Sequence, residues 1–316
     1  MADKLKAPFP WFGGKSRCAA QVWQALGDVG NYVEPFAGSL AVLLARPTPP
    51  DLETVNDADC YLANFWRSVQ LDPDSVAAYA DWPVNEADLH ARHAWLIDQI
   101  EFRERMKSDP DFYYPKIAGW WIWGICAWIG QGWCKSKAIQ IPHLADLGRG
   151  VHSVSRQIPH LGTHGNGVHS LSVTGAGIAE TINALRARLR RVRVTCGDWT
   201  RVMSNSVLYT PIHKRTQKNI TGVFLDPPYQ DGVIEYAAGK GISSKVRDWA
   251  IEHGDNPKLR IVLCGYDGEH KMPQSWRVIS RVENGGYGNQ SGNTNRKRER
   301  LWLSPSCLSA TDGAGQ

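Results

Sequence analysis

Asp226-Pro-Pro-Tyr229 follows directly on the apolar run Gly222-Val-Phe-Leu225, which sets one carboxylate, two rigid prolines and a phenol ring at the end of a buried strand. An aromatic exocyclic amine is a poor nucleophile because its lone pair is delocalised into the ring. Catalysis at such an amine must draw it toward tetrahedral geometry, and a carboxylate and a nearby peptide oxygen that both accept from one NH2 group do this. The Asp226 carboxylate and the Pro227 carbonyl are the natural acceptors. Pro227 and Pro228 fix the carbonyl direction, and Tyr229 can stack on a base. The bland alternative is an ordinary turn after a strand, since Asp-Pro is common in turns.

A site of this kind needs strands that end together. Residues 31–36 read as a strand, Ala37-Gly38-Ser39 as a tight turn, and residues 40–45 as a helix with Ser39 as its N-cap. A second strand over residues 53–56 ends in Asp57 and leads to a helix with Leu62, Phe65, Trp66 and Val69 on one face. Residues 222–225 form a third. This alternation implies a parallel sheet flanked by helices, with ligands at the carboxyl ends of the strands.

The 316 residues include 36 basic and 31 acidic side chains, 42% hydrophobic and 21% charged residues, the balance of a soluble globular protein rather than a disordered one. The length suits one large domain or a catalytic domain with a sizeable insertion. Pro8, Pro10, Gly13, Gly14 and Lys15 interrupt any signal-peptide core, and the most apolar run, residues 117–130, is short for a membrane span. Seven cysteines without a CxxC pair argue for buried thiols, not for a zinc ribbon or a disulfide scaffold. The chain has no Pro-Cys dipeptide, the usual setting of the nucleophile in pyrimidine C5 methyltransferases.

Between about 70 and 178 the pattern changes. Residues 76–106 read as helical. Trp120, Trp121, Trp123, Trp128 and Trp133 crowd the segment that follows, as core or as stacking surfaces for unpaired bases. Residues 141–154 recur as 158–171 with a period of 17; two copies are too few for a solenoid and read as paired loops or hairpins. His143, His152, His160, His164 and His169 fall at irregular spacings that complete no metal-ligand set. The α/β pattern resumes with a helix marked by Ile178, Ile182, Leu185 and Leu189, then strands over 192–196, 260–264 and 300–303.

In this order the motifs resemble the Dam-like DNA adenine N6-methyltransferases of the D12 class, alpha group. Trp11-Phe-Gly-Gly-Lys15 matches the family's W-x-G-G-K, Val33-Glu-Pro-Phe-Ala-Gly38 its cofactor loop, Asp57 the acidic residue ending the next strand, and Asp226-Pro-Pro-Tyr229 its catalytic motif. The resemblance spans about residues 8–70 and 190–303. It implies an α/β fold: a Rossmann-like S-adenosylmethionine-dependent methyltransferase sheet with helices on both faces, plus an inserted, mostly helical target-recognition domain. On that basis residues 1–70 and 179–305 form the catalytic domain, 71–178 the insertion and 306–316 a flexible tail. It also implies S-adenosylmethionine as cofactor, double-stranded DNA with a target adenine as partner, no membrane association, a cytoplasmic, nucleoid-associated location, and a monomer or weak dimer.

The cofactor positions implied are Trp11, by stacking or cation–π contact; Lys15, against the methionine carboxylate; Glu34 and Phe36 in the loop; the N–H groups of Ala37, Gly38 and Ser39; Asp198, on the adenine amine; and Asp226. Asp57 lies 19 residues after Gly38, the spacing for ribose hydroxyls, with Asn56 and Asp59 as register alternatives. Leu40 stands where the family's F-x-G-x-G has its second glycine, and a β-carbon there restricts backbone approach to a ligand. Arg186, Arg188, Arg190, Arg191 and Arg193, and Arg296, Lys297, Arg298 and Arg300, could bind phosphates or form solvated faces. The loop over 230–246 could close over a flipped base. Two competing readings stand beside the main one: methylation of another planar amine, such as cytosine N4, an RNA adenine or a glutamine, and a DNA-binding homologue whose catalysis has lapsed.

Overall fold

Asn31–Glu34 and Thr221–Leu225 are buried along their whole lengths, which suits the interior of a parallel sheet covered on both faces. The computed structural model describes residues 5–11, 14–109, 111–128, 133–134, 167–169, 177–210, 219–228, 241–280 and 299–309. The chain divides into two compact units, one from 1–4, Gly13–Asp59 and Arg191–Gln316, the other from Leu5–Phe12 and Cys60–Arg190.

The first unit holds the sheet. Its strands are β1 Asn31–Glu34, β2 Leu52–Asp57, β3 Val192–Cys196, β4 Thr221–Leu225, β5 Leu259–Tyr266, β6 Arg277–Ser280 and β7 Glu299–Leu303, in the order β3-β2-β1-β4-β5-β7-β6. The five strands from β3 to β5 are parallel. At the other edge β7 runs antiparallel to β5 and β6 antiparallel to β7. The alternating exposure of β6 is what an antiparallel edge tolerates and a doubly covered parallel strand does not. Alternate residues of β4 serve the two faces: Gly222 lies against Leu26 of α1 (Ala19–Leu26), and Val223 joins a cluster with Ile261, Leu263 and the buried face of α10 (Ile242–His253). The expectation of a loop as far as residue 246 is therefore corrected at its end. Ile242, Val246 and Ala250 repeat at helical spacing and are buried together.

The second unit is helical: α3 Cys60–Leu71, α4 Pro73–Ala80, α5 Glu86–Ile97, α6 Ile100–Ser108, α7 Pro115–Ala127 and α8 Ile178–Leu189. The helical reading of 76–106 resolves into three helices. Asp72 and Asn85 each cap a new start by accepting from Ser75 N and Asp88 N, and Pro83 falls in the break. Leu62, Phe65, Trp66 and Val69 are buried as their spacing predicts, and Phe9 sits edge-on to Phe65 and Trp121 at 5.5 and 5.3 Å between ring centres. Trp121, Trp123 and Trp133 are buried, whereas Trp120 is half-buried under the Lys116 ammonium, 4.4 Å from its ring. Of the 17-residue repeat only 167–169 are described, with Val168 buried and His169 Nε2 donating to the Trp123 carbonyl at 3.0 Å.

Helices α4 and α7 meet at Gly119, where a β-carbon would lie 2.3 Å from Tyr79 Cβ and 2.9 Å from the Val76 carbonyl oxygen. Backbone cannot yield as a flexible side chain does. Gly119→Ala is therefore expected to destabilise the protein by about 1–3 kcal/mol, read as a lower urea midpoint by circular dichroism.

Candidate active site

Four acidic residues stand at the carboxyl ends of four neighbouring strands: Asp198 after β3, Asp57 ending β2, Glu34 ending β1, and Asp226 after β4. Strand order reverses between β1 and β4, which makes Glu34 and Asp226 the pair flanking the switch point, where doubly wound sheets hold their ligands.

At that point one ammonium is shared. Lys15 Nζ lies 3.0 Å from Asp226 Oδ1 and 3.6 Å from Glu299 Oε1, and its side chain is only 6% exposed. Burial alone would lower the Lys15 ammonium. Asp226, then Cys264 and Glu299, reverse that and hold it well above the ordinary lysine value. Carboxylates of the protein thus supply the counter-charge that a buried ammonium needs. Glu299 is a site residue the sequence reading missed. Glu34 is 2% exposed and accepts from Tyr32 Oη at 3.0 Å. Burial, with Asp226 and Glu53 adding to it, pushes its carboxyl well above the usual range despite that bond.

The cofactor loop is tied down by two neighbouring side chains of β2. Asn56, 1% exposed, donates to the carbonyls of Pro35 at 3.1 Å and Gly197 at 3.0 Å and accepts from Thr195 Oγ1 at 2.9 Å, so a single amide joins the ends of β1, β2 and β3. Asp57 accepts from the N–H groups of Gly38 at 3.0 Å and Asp59 at 2.9 Å. The register question resolves into a division of labour, with Asn56 inside and Asp57 on the loop. Burial raises the Asp57 carboxyl to about 6, opposed by its hydrogen bonds.

Ala37 N–H is donated to the Asn56 carbonyl at 2.9 Å, and Gly38 N–H to Asp57, so two of the three loop amides expected to face a ligand already have protein partners. The helix expected over 40–45 with Ser39 as cap is corrected to α2, Ala41–Leu44, capped by Leu40. Leu40 has φ 55° and ψ 25°, a left-handed backbone that ordinarily calls for glycine. Its side chain is fully buried, and burial of a leucine, about 2 kcal/mol, is of the size of the left-handed penalty of about 1–2 kcal/mol.

Phe36 stacks on Trp199, with ring centres 6.1 Å apart. Asp198 is exposed and accepts from Thr200 Oγ1 and N, which hold its carboxyl below the usual range. Pro227 is buried and Pro228 half-buried. Trp11 belongs to the helical unit, where its ring lies 6.0 Å from Phe9 and 6.3 Å from Trp121. Tyr229, the loop residues 230–240 and Arg296, Lys297 and Arg298 lie outside the described residues. Among the described residues, no group of three or more His, Cys, Asp or Glu could hold a metal ion, and no helix is long and apolar enough to cross a membrane.

An open sheet of this order with an acidic rim at its switch point is a mixed α/β arrangement consistent with a Rossmann-like methyltransferase fold. Residues 11–116 match the family model of the D12 class N6 adenine-specific DNA methyltransferases. The match supports DNA adenine methylation as the activity of this chain, with S-adenosylmethionine as the donor the family implies. No curated protein matches the chain.

Asn56→Ala removes the amide that donates to the Pro35 and Gly197 carbonyls and leaves Thr195 Oγ1 with the Val55 carbonyl; it is expected to lower stability by about 2–4 kcal/mol, measured by thermal unfolding. Because the folded protein raises the Asp57 pKa, this residue contributes stability fully present below about pH 4 and lost as pH rises through about 6. A carboxyl-carbon NMR titration should place its midpoint near 6 rather than near 3.8.

Proposed function

We propose that this chain methylates N6 of an adenine flipped out of double-stranded DNA, with Asp226 and the Pro227 carbonyl as the acceptors that hold the amine. The observation that carries the reading is the Asp226 carboxylate, 3.0 Å from a buried ammonium, at the end of a fully buried strand beside the switch point. The site residues fit a cationic ligand that bears hydroxyls: carboxylates outnumber the single buried lysine at the rim, and Asp57 stands at the strand end next to the loop. When bound, S-adenosylmethionine supplies a methyl group on positively charged sulfur.

The protein's part is then positioning and charge. Asp226 and Pro227 O accept from the two amine hydrogens and draw the nitrogen out of conjugation. Lys15 holds the Asp226 carboxylate in place through Oδ1 at 3.0 Å. Asp57 accepts from ribose hydroxyls, and Phe36, Ser39 and Leu40 wall the loop. Asp198 takes the cofactor's adenine amine, and Tyr229 stacks on the target base. After transfer the surplus proton of the amine leaves to solvent. The segment 71–178 serves target recognition, and the chain acts in the cytoplasm as a monomer or weak dimer.

Asp226→Ala is expected to lower methyl transfer to unmethylated duplex DNA at least a hundredfold, the scale for removing a transition-state acceptor, while DNA affinity stays within about threefold. Radiolabelled donor followed by mass spectrometry of the hydrolysed DNA measures the first and identifies the modified base; a gel-shift titration measures the second. N6-methyladenine formed at the wild-type rate by the variant would remove Asp226 from the mechanism.

A further inference from the structure

Two donors of one residue converge on a single oxygen at the edge of the site. Thr200 Oγ1, at 2.5 Å, and Thr200 N–H, at 2.9 Å, both donate to Asp198 Oδ1, while Oδ2 accepts no hydrogen bond among the described residues, although Asp198 is exposed. Asp198 caps the single 3-10 turn Trp199–Val202, and for a cap the main-chain donor suffices. The hydroxyl is an addition. An O–H donated to a carboxylate is among the stronger hydrogen bonds, and it is the first cause, ahead of the N–H, of a carboxyl held below its usual range. Beside it, Phe36 after β1 stacks on Trp199 after β3. That stack spans the end of β2, which lies between those strands and ends in Asp57.

We infer that Thr200 is a positioning residue: by holding Asp198 Oδ1 with two donors, it presents Oδ2 to the 6-amino group of the cofactor's base, and so makes the site select an adenine nucleoside over one that carries a carbonyl there. The inference rests on the functional reading above and deepens it, since that reading gives Asp198 the amine without saying what orients the carboxylate. An exposed carboxylate free to rotate gains little from one more hydrogen bond, because water competes for it and its rotamers must first be ordered. With one oxygen already held, that ordering precedes the ligand. A base with a 6-oxo group brings an acceptor where adenine brings a donor, and an ionised carboxylate can only accept.

The test compares S-adenosylhomocysteine with S-inosylhomocysteine, which carry an amine and a carbonyl at that ring position. In calorimetric titrations of the full chain, the wild type is expected to prefer the adenine compound roughly tenfold, the scale of one hydrogen bond to a charged group. Thr200→Val keeps the main-chain donor and loses the hydroxyl; it should cut the preference to about threefold or less by weakening the adenine compound alone. Thr200→Ser should retain it. Equal weakening of both compounds by Thr200→Val, or of neither, would overturn the inference, since a residue that only closes the turn moves both alike. Wild-type binding of both without preference would overturn it too. Circular dichroism melting of the variant shows whether an equal loss comes from a disturbed fold. A wild-type chain that binds neither compound would overturn the functional reading itself, and this inference with it.

Discussion

A lysine ammonium enclosed by protein cannot stand alone, and the catalytic end of this sheet is arranged around that constraint. Lys15 is 6% exposed, so desolvation would drive off its proton unless carboxylates stood beside it. The two that do come from elements far apart in sequence, the turn after β4 and the start of β7, and they make the position of each dependent on the other. Disturbing the lysine would set two partly buried carboxylates against each other, a larger penalty than the loss of one surface ion pair. The same constraint explains why Glu34, one strand away, is pushed toward its neutral form.

The loop beside it follows a different logic, that of hydrogen bonding. A parallel sheet ends in a row of carbonyls that must be satisfied. Asn56 answers for Pro35 and Gly197 at once, and Asp57 takes the amides of Gly38 and Asp59. A loop held this firmly can carry a left-handed leucine, because the surrounding contacts fix its backbone and bury its side chain.

Much of this was legible in the sequence, and what was missed has a common cause. Asp226 announces itself because it follows the apolar run Gly222-Val-Phe-Leu225, which marks a strand end, whereas Glu34 and Asp57 were legible through the motifs around them. Part of the parallel core was readable from strands that are mainly apolar, such as β4 and the middle of β5. Glu299 gave no signal: it lies in a run of charged residues, and its partner is 284 positions away. Asn56 looked like an alternative to Asp57 because type and spacing do not distinguish a side chain pointing inward from one pointing out. Leu40 broke a glycine pattern, and only its backbone angles reveal what the departure does. The edge strand β6, with half-exposed alternation, carries too weak a pattern to be told from a loop.

The helical unit enters the chain between two strands that lie side by side. β2 ends at Asp57 and its neighbour β3 begins at Val192, so at a translation rate of about 5–20 residues per second β2 emerges roughly 7–27 seconds before β3 exists. β1 waits longer still for β4. β1 and the interior of β2 are destined for burial, and for that interval their outer edges stand open. A nascent chain built this way has to keep those edges from pairing with their like until β3 and β4 emerge.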